Sequence, residues 1–396
     1  MVVCVLLPRF SLTVVAGDRT SLLGEPAALA PEPPGTSQLI GEVSLAAEAF
    51  GVRAGMRLGE ALARCPRLAL VPPDPVGVSG AWEKLLSQLE AIGAAVESER
   101  PGLAYFEEEG LRRIYGGAEE DVIAAARRAL AAPARIGAGP ARFCATAAAT
   151  CARPRRAEII RGGEPAARSY LAPLPVALLR ARGRLAELPP ALERLGVGTL
   201  GELAALPRAA VADRFGALGL TAHELASGCD GPLVPRTPSE RLEESLTLPE
   251  PGSGPQLERG LGLLVDRLLA RPERRGRTLR AAVVEAVLVE GGTWRERVIF
   301  REALADPARM RLALAPRLAG LPAPAEELRL AVERFGPPAV DQRALLDEAS
   351  AARLERLREG VRQARAAAGP DAALRVLALD PGSRVPERRA ALAPFE

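Results

Sequence analysis

Lysine is almost missing from this 396-residue chain: Lys84 is the sole example, and arginine carries nearly all of the basic charge. Arginine suits bidentate contacts with phosphate. Alanine, glycine and proline are abundant too, so a skewed genome would leave the same trace, and composition alone does not establish nucleic-acid binding. Histidine is reduced to His223, which argues against several independent acid/base sites and leaves no Ser-His-Asp constellation supported. Its setting, "LTAHELA", is helical, and a surface position is expected for it. Cys4, Cys65, Cys144, Cys151 and Cys229 are odd in number and form no C-x-x-C pair, so no zinc cluster is expected. No apolar run reaches the ~20 residues of a membrane span. The opening "MVVCVLLPRF" lacks a basic leader and is broken by Pro8, which points to a cytoplasmic protein with no membrane partner. A chain of this length should hold roughly two to four domains.

Val2 to Leu7 is a continuous aliphatic run suited to a strand buried on both faces. Residues 24–40 are rich in proline and glycine and read as irregular connection. Ser44 resembles an N-cap before "LAAEAFGV", "RLGEALARCP" is a helix stopped by Pro66, and "LALVPPDP" reads as a short strand and turn. An amphipathic helix is expected from about Gly80 to Ala95. Leu103–Phe106 and Leu111–Tyr115 make two strand candidates around Glu107–Gly110, followed by the helix "AEEDVIAAARRALAA", the strand "ARIGAG" and a small-residue helix. The order β, α, β, β, α, β matches a split βαβ, ferredoxin-like unit interrupted by residues 17–75.

From Leu171 to Val234 the pattern is helical with short loops. In "LERLGVGTLGELAAL" a helix ends at Gly196, turns through Val197 and Gly198, and restarts with Thr199 as N-cap. Such a helix-hairpin-helix offers free backbone amides to a phosphate, although an ordinary helical hairpin has the same pattern. The stretch "GCDGPLVPRTPSERLEESLTLPEP" reads as a linker. Beyond it a helix near Gln256–Ala270, the basic turn "RPERRGR" and the strands "TLRAAVVEAVLVE" and "TWRERVIF" suggest another α/β module. A helix, "SAARLERLREGVRQARAAAG", and a short tail end the chain.

Taken together, these parts resemble a Y-family (UmuC-like) translesion DNA polymerase. "FGVRAGMRLGEALARCPRLALVPPD" resembles the fingers segment, "IGAGPARFCATAAA" the entry to the palm helix, and "LERLGVGTLGELAALPRAAVADRFG" the thumb. The resemblance implies an α+β multidomain chain with the right-hand polymerase architecture. Residues 1–16 and 76–165 would form a ferredoxin-like palm, 17–75 small fingers, 166–235 a helix-hairpin-helix thumb, 236–338 an α/β little finger, and 339–396 a clamp- and partner-binding region. Polymerases of this family hold two Mg²⁺ ions with one Asp at the end of the first strand and an Asp-Glu pair before an aromatic strand. Matching those strands puts Leu6, Gly102 and Leu103 at the three ligand positions, and Pro8 where a further Asp commonly stands. Neither Leu nor Gly has a side-chain oxygen to offer Mg²⁺. Leu45 and Glu48 fall where Tyr and Arg face the triphosphate, Ser11 where the sugar is sensed, and Thr146 where a Lys is usual.

The losses fall on metal, triphosphate and sugar contacts, so no catalytic residue, metal or cofactor is expected. Glu107, Glu108 and Glu109 are expected to rim a solvated turn, the alternative being a displaced metal site in an active polymerase with relocated ligands. Within the family the pattern resembles the ImuB-type, catalytically inactive homologues. That resemblance implies a DNA- and sliding-clamp-binding adaptor serving translesion synthesis and damage-induced mutagenesis. Its implied partners are primer-template DNA bound without regard to sequence, the bacterial sliding clamp, an error-prone C-family DNA polymerase and a RecA-like accessory protein, placing it at the nucleoid. Gln342, Leu345 and Leu346 fill the positions of a clamp-binding peptide, where a helix start is the alternative. Arg271, Arg274, Arg275, Arg277 and Arg280 are candidates for backbone contacts with DNA, as are Gly196, Val197, Gly198 and Thr199. A solvated charged turn is the alternative for the arginines.

Overall fold

The computed structural model describes the chain apart from residues 18, 32–37, 154, 239–241, 290, 339–347, 370–371, 380–381, 383 and 395–396. It divides into two compact units, Met1–Glu240 with Ala286–Arg295, and Arg241–Glu285 with Glu296–Glu396.

The first unit is organised by β1 (Val2–Leu6). The inserted segment adds β2 (Ala27–Leu29) and β3 (Ala69–Val71), a parallel pair. There follow β4 (Glu97–Arg100), β5 (Leu103–Glu107), β6 (Arg135–Gly139) and β7 (Glu158–Ile159). The main sheet runs in the order β4-β5-β1-β6-β7. Its first four strands are antiparallel neighbours, the arrangement of a split βαβ unit. Because side chains alternate along a strand, β1 feeds two cores. Val3 and Val5 join Trp82, Leu86 and Leu89 of helix Pro75–Ala91 and Val122, Ile123 and Ala126 of helix Glu119–Leu130. Val2 and Cys4 join Ala145 and Ala149 of helix Arg142–Cys151. Only small residues let that last helix lie so close, since a Cβ on Gly137 of β6 would fall 2.1 Å from the backbone nitrogen of Ala149.

Two expectations are corrected here. Leu111–Tyr115 is not a strand but the larger part of helix Glu109–Tyr115, which Gly116 terminates at φ 118°. The chain leaves the sheet after Glu107, and Leu111 and Tyr115 lie four apart on one helical face. The partner strand of β5 is instead the polar edge β4, joined through the turn at Pro101 and Gly102. The preceding helix starts at Pro75, not near Gly80, with Asp74 as its cap: the Gly77 amide donates to Oδ1 at 2.8 Å. Proline at the first helical position needs no amide and has the right φ.

Ser44 does cap its short helix. Its Oγ accepts from the amides of Ala47 (3.1 Å) and Ala27 (3.0 Å) and donates to the Glu25 carbonyl (2.6 Å), pinning the insertion around its own core of Ile40, Val43, Val52 and Leu68. The helical region expected from Leu171 to Val234 begins earlier, at Gly163, and ends earlier, at Ala226. Helix Gly163–Leu171 and the helices Leu188–Arg194, Leu200–Ala205 and Arg208–Ala226 close around Leu171, Leu179, Leu192, Leu200 and Leu203. His223 is half-buried rather than at the surface, with Nε2 3.1 Å from the Leu206 carbonyl oxygen.

The second unit is built on β8 (Glu243–Gly252), β9 (Arg277–Leu288), β10 (Thr293–Leu304) and β11 (Ala325–Pro338), in the order β10-β9-β11-β8. Helix Pro255–Ala270 buries Leu257, Leu261, Leu264 and Leu268. The second half of the expected linker is therefore wrong: Glu243–Gly252 is the edge strand β8, paired with β11. Its prolines and glutamates are tolerated because an edge strand has one side free. Helix Glu348–Ala368 follows, then the hairpin β12 (Leu374–Ala378) and β13 (Ala390–Pro394). The observed organisation is α+β and multidomain.

Candidate nucleotide and nucleic-acid interface

Strands β1 and β5 are paired so that Leu6 faces Leu103, and the Leu7 amide donates to the Gly102 carbonyl at 2.8 Å. The three positions matched to metal ligands are thus neighbours in space. Leu103 is fully buried. Gly102 has φ +84°, and a Cβ there would stand 2.8 Å from the Leu7 carbonyl oxygen and 2.9 Å from the Cβ of Phe10. An L side chain at 102 meets both a disfavoured backbone conformation and backbone that has no room to yield.

Around this apolar patch the polar groups bind one another. Tyr105 OH donates to Glu99 (3.1 Å) and lies 2.9 Å from Thr146 Oγ1, which donates to the Arg142 carbonyl. Glu97 accepts from Arg142 Nη1 at 2.5 Å, and Glu99 from Arg182 Nη1 at 2.8 Å. Asp230 accepts from Arg142 Nη2 (3.1 Å), the Phe143 amide (3.0 Å) and Arg182 Nη2 (2.5 Å). Burial pushes the Tyr105 phenol far above its ordinary value and the Cys4 thiol up to about 12, so both stay neutral. Three carboxylates are held by two guanidinium groups from distant parts of the sequence. That network was not anticipated, since Asp230 lies in a segment read as a linker. In the insertion, Glu48 accepts from Arg9 Nη2 at 2.7 Å, while Leu45 stands 66% exposed.

The glutamates after β5 separate. Glu107 and Glu109 are exposed, as expected, but Glu108 is 2% exposed, with the Met1 amine 3.3 Å and Arg112 Nε 3.4 Å from its carboxylate oxygens. The turn is therefore not solvated throughout. Among the described residues no group of three His, Cys, Asp or Glu side chains is placed to hold a metal ion.

The hairpin at Gly196–Thr199 forms as a helix-turn-helix, with Gly196 at φ +82°, but its amides are not free. Gly196 donates to the Glu193 carbonyl (3.0 Å) and Val197 to that of Leu192 (3.1 Å). Gly198 and Thr199 both donate to Glu202 Oε2, at 2.7 and 2.9 Å, and Thr199 Oγ1 accepts from the Glu202 amide. The reciprocal capping box seats a carboxylate where a phosphate was expected, and those amide bonds hold Glu202 below the usual carboxylate range.

Of the basic turn's five arginines, Arg271 pairs with Glu244, and Arg274 and Arg277 donate to each other's carbonyls. Arg277 also stacks on Phe335 with its guanidinium carbon 3.7 Å from the ring centroid, and Arg280 donates to the Arg301 carbonyl at 2.7 Å. Arg275, exposed and at φ +50°, is the one of the five with no side-chain partner among the described residues. This turn is in large part self-bonded. The proposed clamp peptide, Gln342, Leu345 and Leu346, lies outside the described residues. Among the described residues no helix is long and apolar enough to cross a membrane.

A split βαβ sheet with its inserted segment, a helical hairpin region and a separate four-stranded sheet make up a multidomain α+β chain, and in sequence it is similar to Y-family DNA polymerases. Residues 5–150 match the impB/mucB/samB family. DNA polymerase IV of Dehalococcoides mccartyi strain CBDB1 is 27% identical over 285 residues, covering 70% of this chain and 72% of the relative. DNA polymerase IV of Clostridium kluyveri is 24% identical over 243 residues, 60% of each chain. Protein ImuB of Caulobacter vibrioides is 30% identical over 273 residues, 68% of this chain and 58% of that protein. The chain thus spans about three fifths of the length of the last two relatives. Among solved structures, DinB from Sulfolobus solfataricus aligns at 16% identity with a TM-score of 0.47, covering 84% of this chain and 98% of that one.

Proposed function

We propose that this protein is a non-catalytic Y-family homologue acting as an adaptor: it binds DNA and the replication sliding clamp and brings an error-prone C-family polymerase, with a RecA-like accessory protein, to damaged template. In this reading residues 1–16 and 76–165 are the palm, 17–75 the fingers, 166–235 the thumb, 236–338 the little finger and 339–396 the partner-binding region, and the protein works at the nucleoid in the cytoplasm. The observation that carries it is the adjacency of Leu6, Gly102 and Leu103, apolar or without a side chain where two Mg²⁺ ions would need oxygen ligands. The pairing of Glu97, Glu99 and Asp230 with Arg142 and Arg182 supports it further, because those carboxylates are already neutralised by partners.

Relatives named DNA polymerase IV favour a second reading, an active polymerase with relocated ligands. Primer extension by the purified chain with Mg²⁺ or Mn²⁺ separates the two. The adaptor reading expects no template-directed incorporation; incorporation that disappears on Glu107→Gln with Glu109→Gln replaces it by the second. Binding to primer-template duplex is expected to weaken steeply as salt rises. Clamp capture is expected to be lost with Leu345→Ala plus Leu346→Ala, and equal capture removes that peptide from the proposal.

A further inference from the structure

The first unit carries a cleft of about 650 Å³ at the far edge of its main sheet, where helix Glu119–Leu130 meets the loop before β7. Arg127, Arg128, Arg155, Arg156 and Arg161 line it, against Glu120 and Glu158. Arg161 is neutralised by Glu119 and Glu120. Among the described residues, Arg127, Arg128, Arg155 and Arg156 have no carboxylate partner, so the cleft keeps an excess of positive charge.

Arg127 is the most telling of these. Its Nη1 donates to the Arg155 carbonyl at 2.6 Å, which fixes the guanidinium plane. Its Nε and Nη2, the pair that forms a fork toward two oxygens, are buried and meet no acceptor. Burial lowers its pKa, as expected of a cation withdrawn from water without an anion. Arg155 supplies the anchoring carbonyl from φ +64°, a region few non-glycine residues occupy and one that tends to be kept where a site requires it. A positive cleft, a fixed fork without an acceptor and a strained anchor converge on one chemistry.

We propose that this cleft binds a phosphate oxyanion, with Arg127 as the bidentate ligand and Arg128, Arg155 and Arg156 supplying the balancing charge. A multiply charged phosphate suits the surplus better than a single carboxylate does. The source is either a free phosphate or the backbone of a nucleic acid strand. The proposal stands apart from the adaptor reading, since it uses neither the nucleotide positions nor the clamp peptide.

Its test uses the full chain in phosphate-free buffer, with sodium pyrophosphate followed by calorimetry and a short labelled single-stranded oligonucleotide followed by fluorescence anisotropy. Arg127→Gln and the exposed double variant Arg155→Gln with Arg156→Gln are compared with a surface control, Arg53→Gln with Arg113→Gln, after thermal melting shows each to be folded. Loss of pyrophosphate binding by about tenfold in the cleft variants, and by no more than about twofold in the control, supports the site with a free phosphate as ligand. Oligonucleotide binding weakened selectively in the cleft variants, with no pyrophosphate bound, supports it with a nucleic acid backbone as ligand. Neither probe responding to the cleft variants more than to the control overturns it, as does binding of a polyglutamate peptide where neither phosphate probe binds.

Discussion

On one face of β1 and β5, Val3, Val5, Ala104 and Phe106 meet hydrocarbon from two long helices. On the other, Cys4 and Tyr105 lie under Thr146, beside carboxylates and guanidinium groups drawn from β4, from helix Arg142–Cys151 and from positions 182 and 230. The first face is an ordinary core, set by burial alone. The second has the polar groups of a working cleft, yet its charges are satisfied by one another, and the neighbouring Leu6 and Leu103 are apolar. Charged side chains gather on this face, while positions 6, 102 and 103 carry no side-chain oxygen. Internal pairing of that kind stabilises geometry and leaves little charge to polarise a substrate.

This contrast can be broken at either face. Phe106→Ala should cost the most, about 4 kcal/mol by urea denaturation, because it empties a fully buried ring's volume. Asp230→Ala should follow at about 3 kcal/mol, since it strands Arg142, Arg182 and the Phe143 amide together; a change near zero would reduce the network to ornament. Gly102→Asp, which places a carboxylate beside the end of β1, should cost about 2 kcal/mol. It should also gain no Mg²⁺ affinity by calorimetry, as the Leu7 carbonyl blocks the side chain. The smallest effect is local. With the Glu202 carboxyl held below its usual range by amide bonds, its capping contribution is complete above the ordinary carboxylate value and fades as pH falls through the lowered one. Amide exchange at Gly198 and Thr199 should accelerate at acid pH, after correction for intrinsic rates, and should already be fast at neutral pH in Glu202→Ala, which removes the acceptor.

Much of the frame was legible because it rests on short-range rules. The aliphatic run of β1, the Ser44 cap, the small-residue helix and the glycine-closed hairpin each follow from neighbours a few residues apart. The errors came where a local pattern admitted two partners. Leu111–Tyr115 had strand composition but began after the sheet had ended, and the proline-rich stretch before Gly252 is a strand only because β11 lies beside it. The hairpin was read correctly in outline, while the seat it offered was filled by Glu202, whose side chain folds back across a single turn.

Sequence by itself determined which atoms are available: no carboxylate at 6, 102 or 103, one histidine, and arginine for nearly all basic charge. Tertiary structure alone decided how the remaining charges are used. Asp230 meets Arg142 across 88 residues and Arg182 meets Glu99 across 83, and Arg127 is left with an unfilled fork. Availability is a property of each residue's chemistry. Pairing depends on distances of a few ångströms that exist only after the sheet and helices have closed around one another.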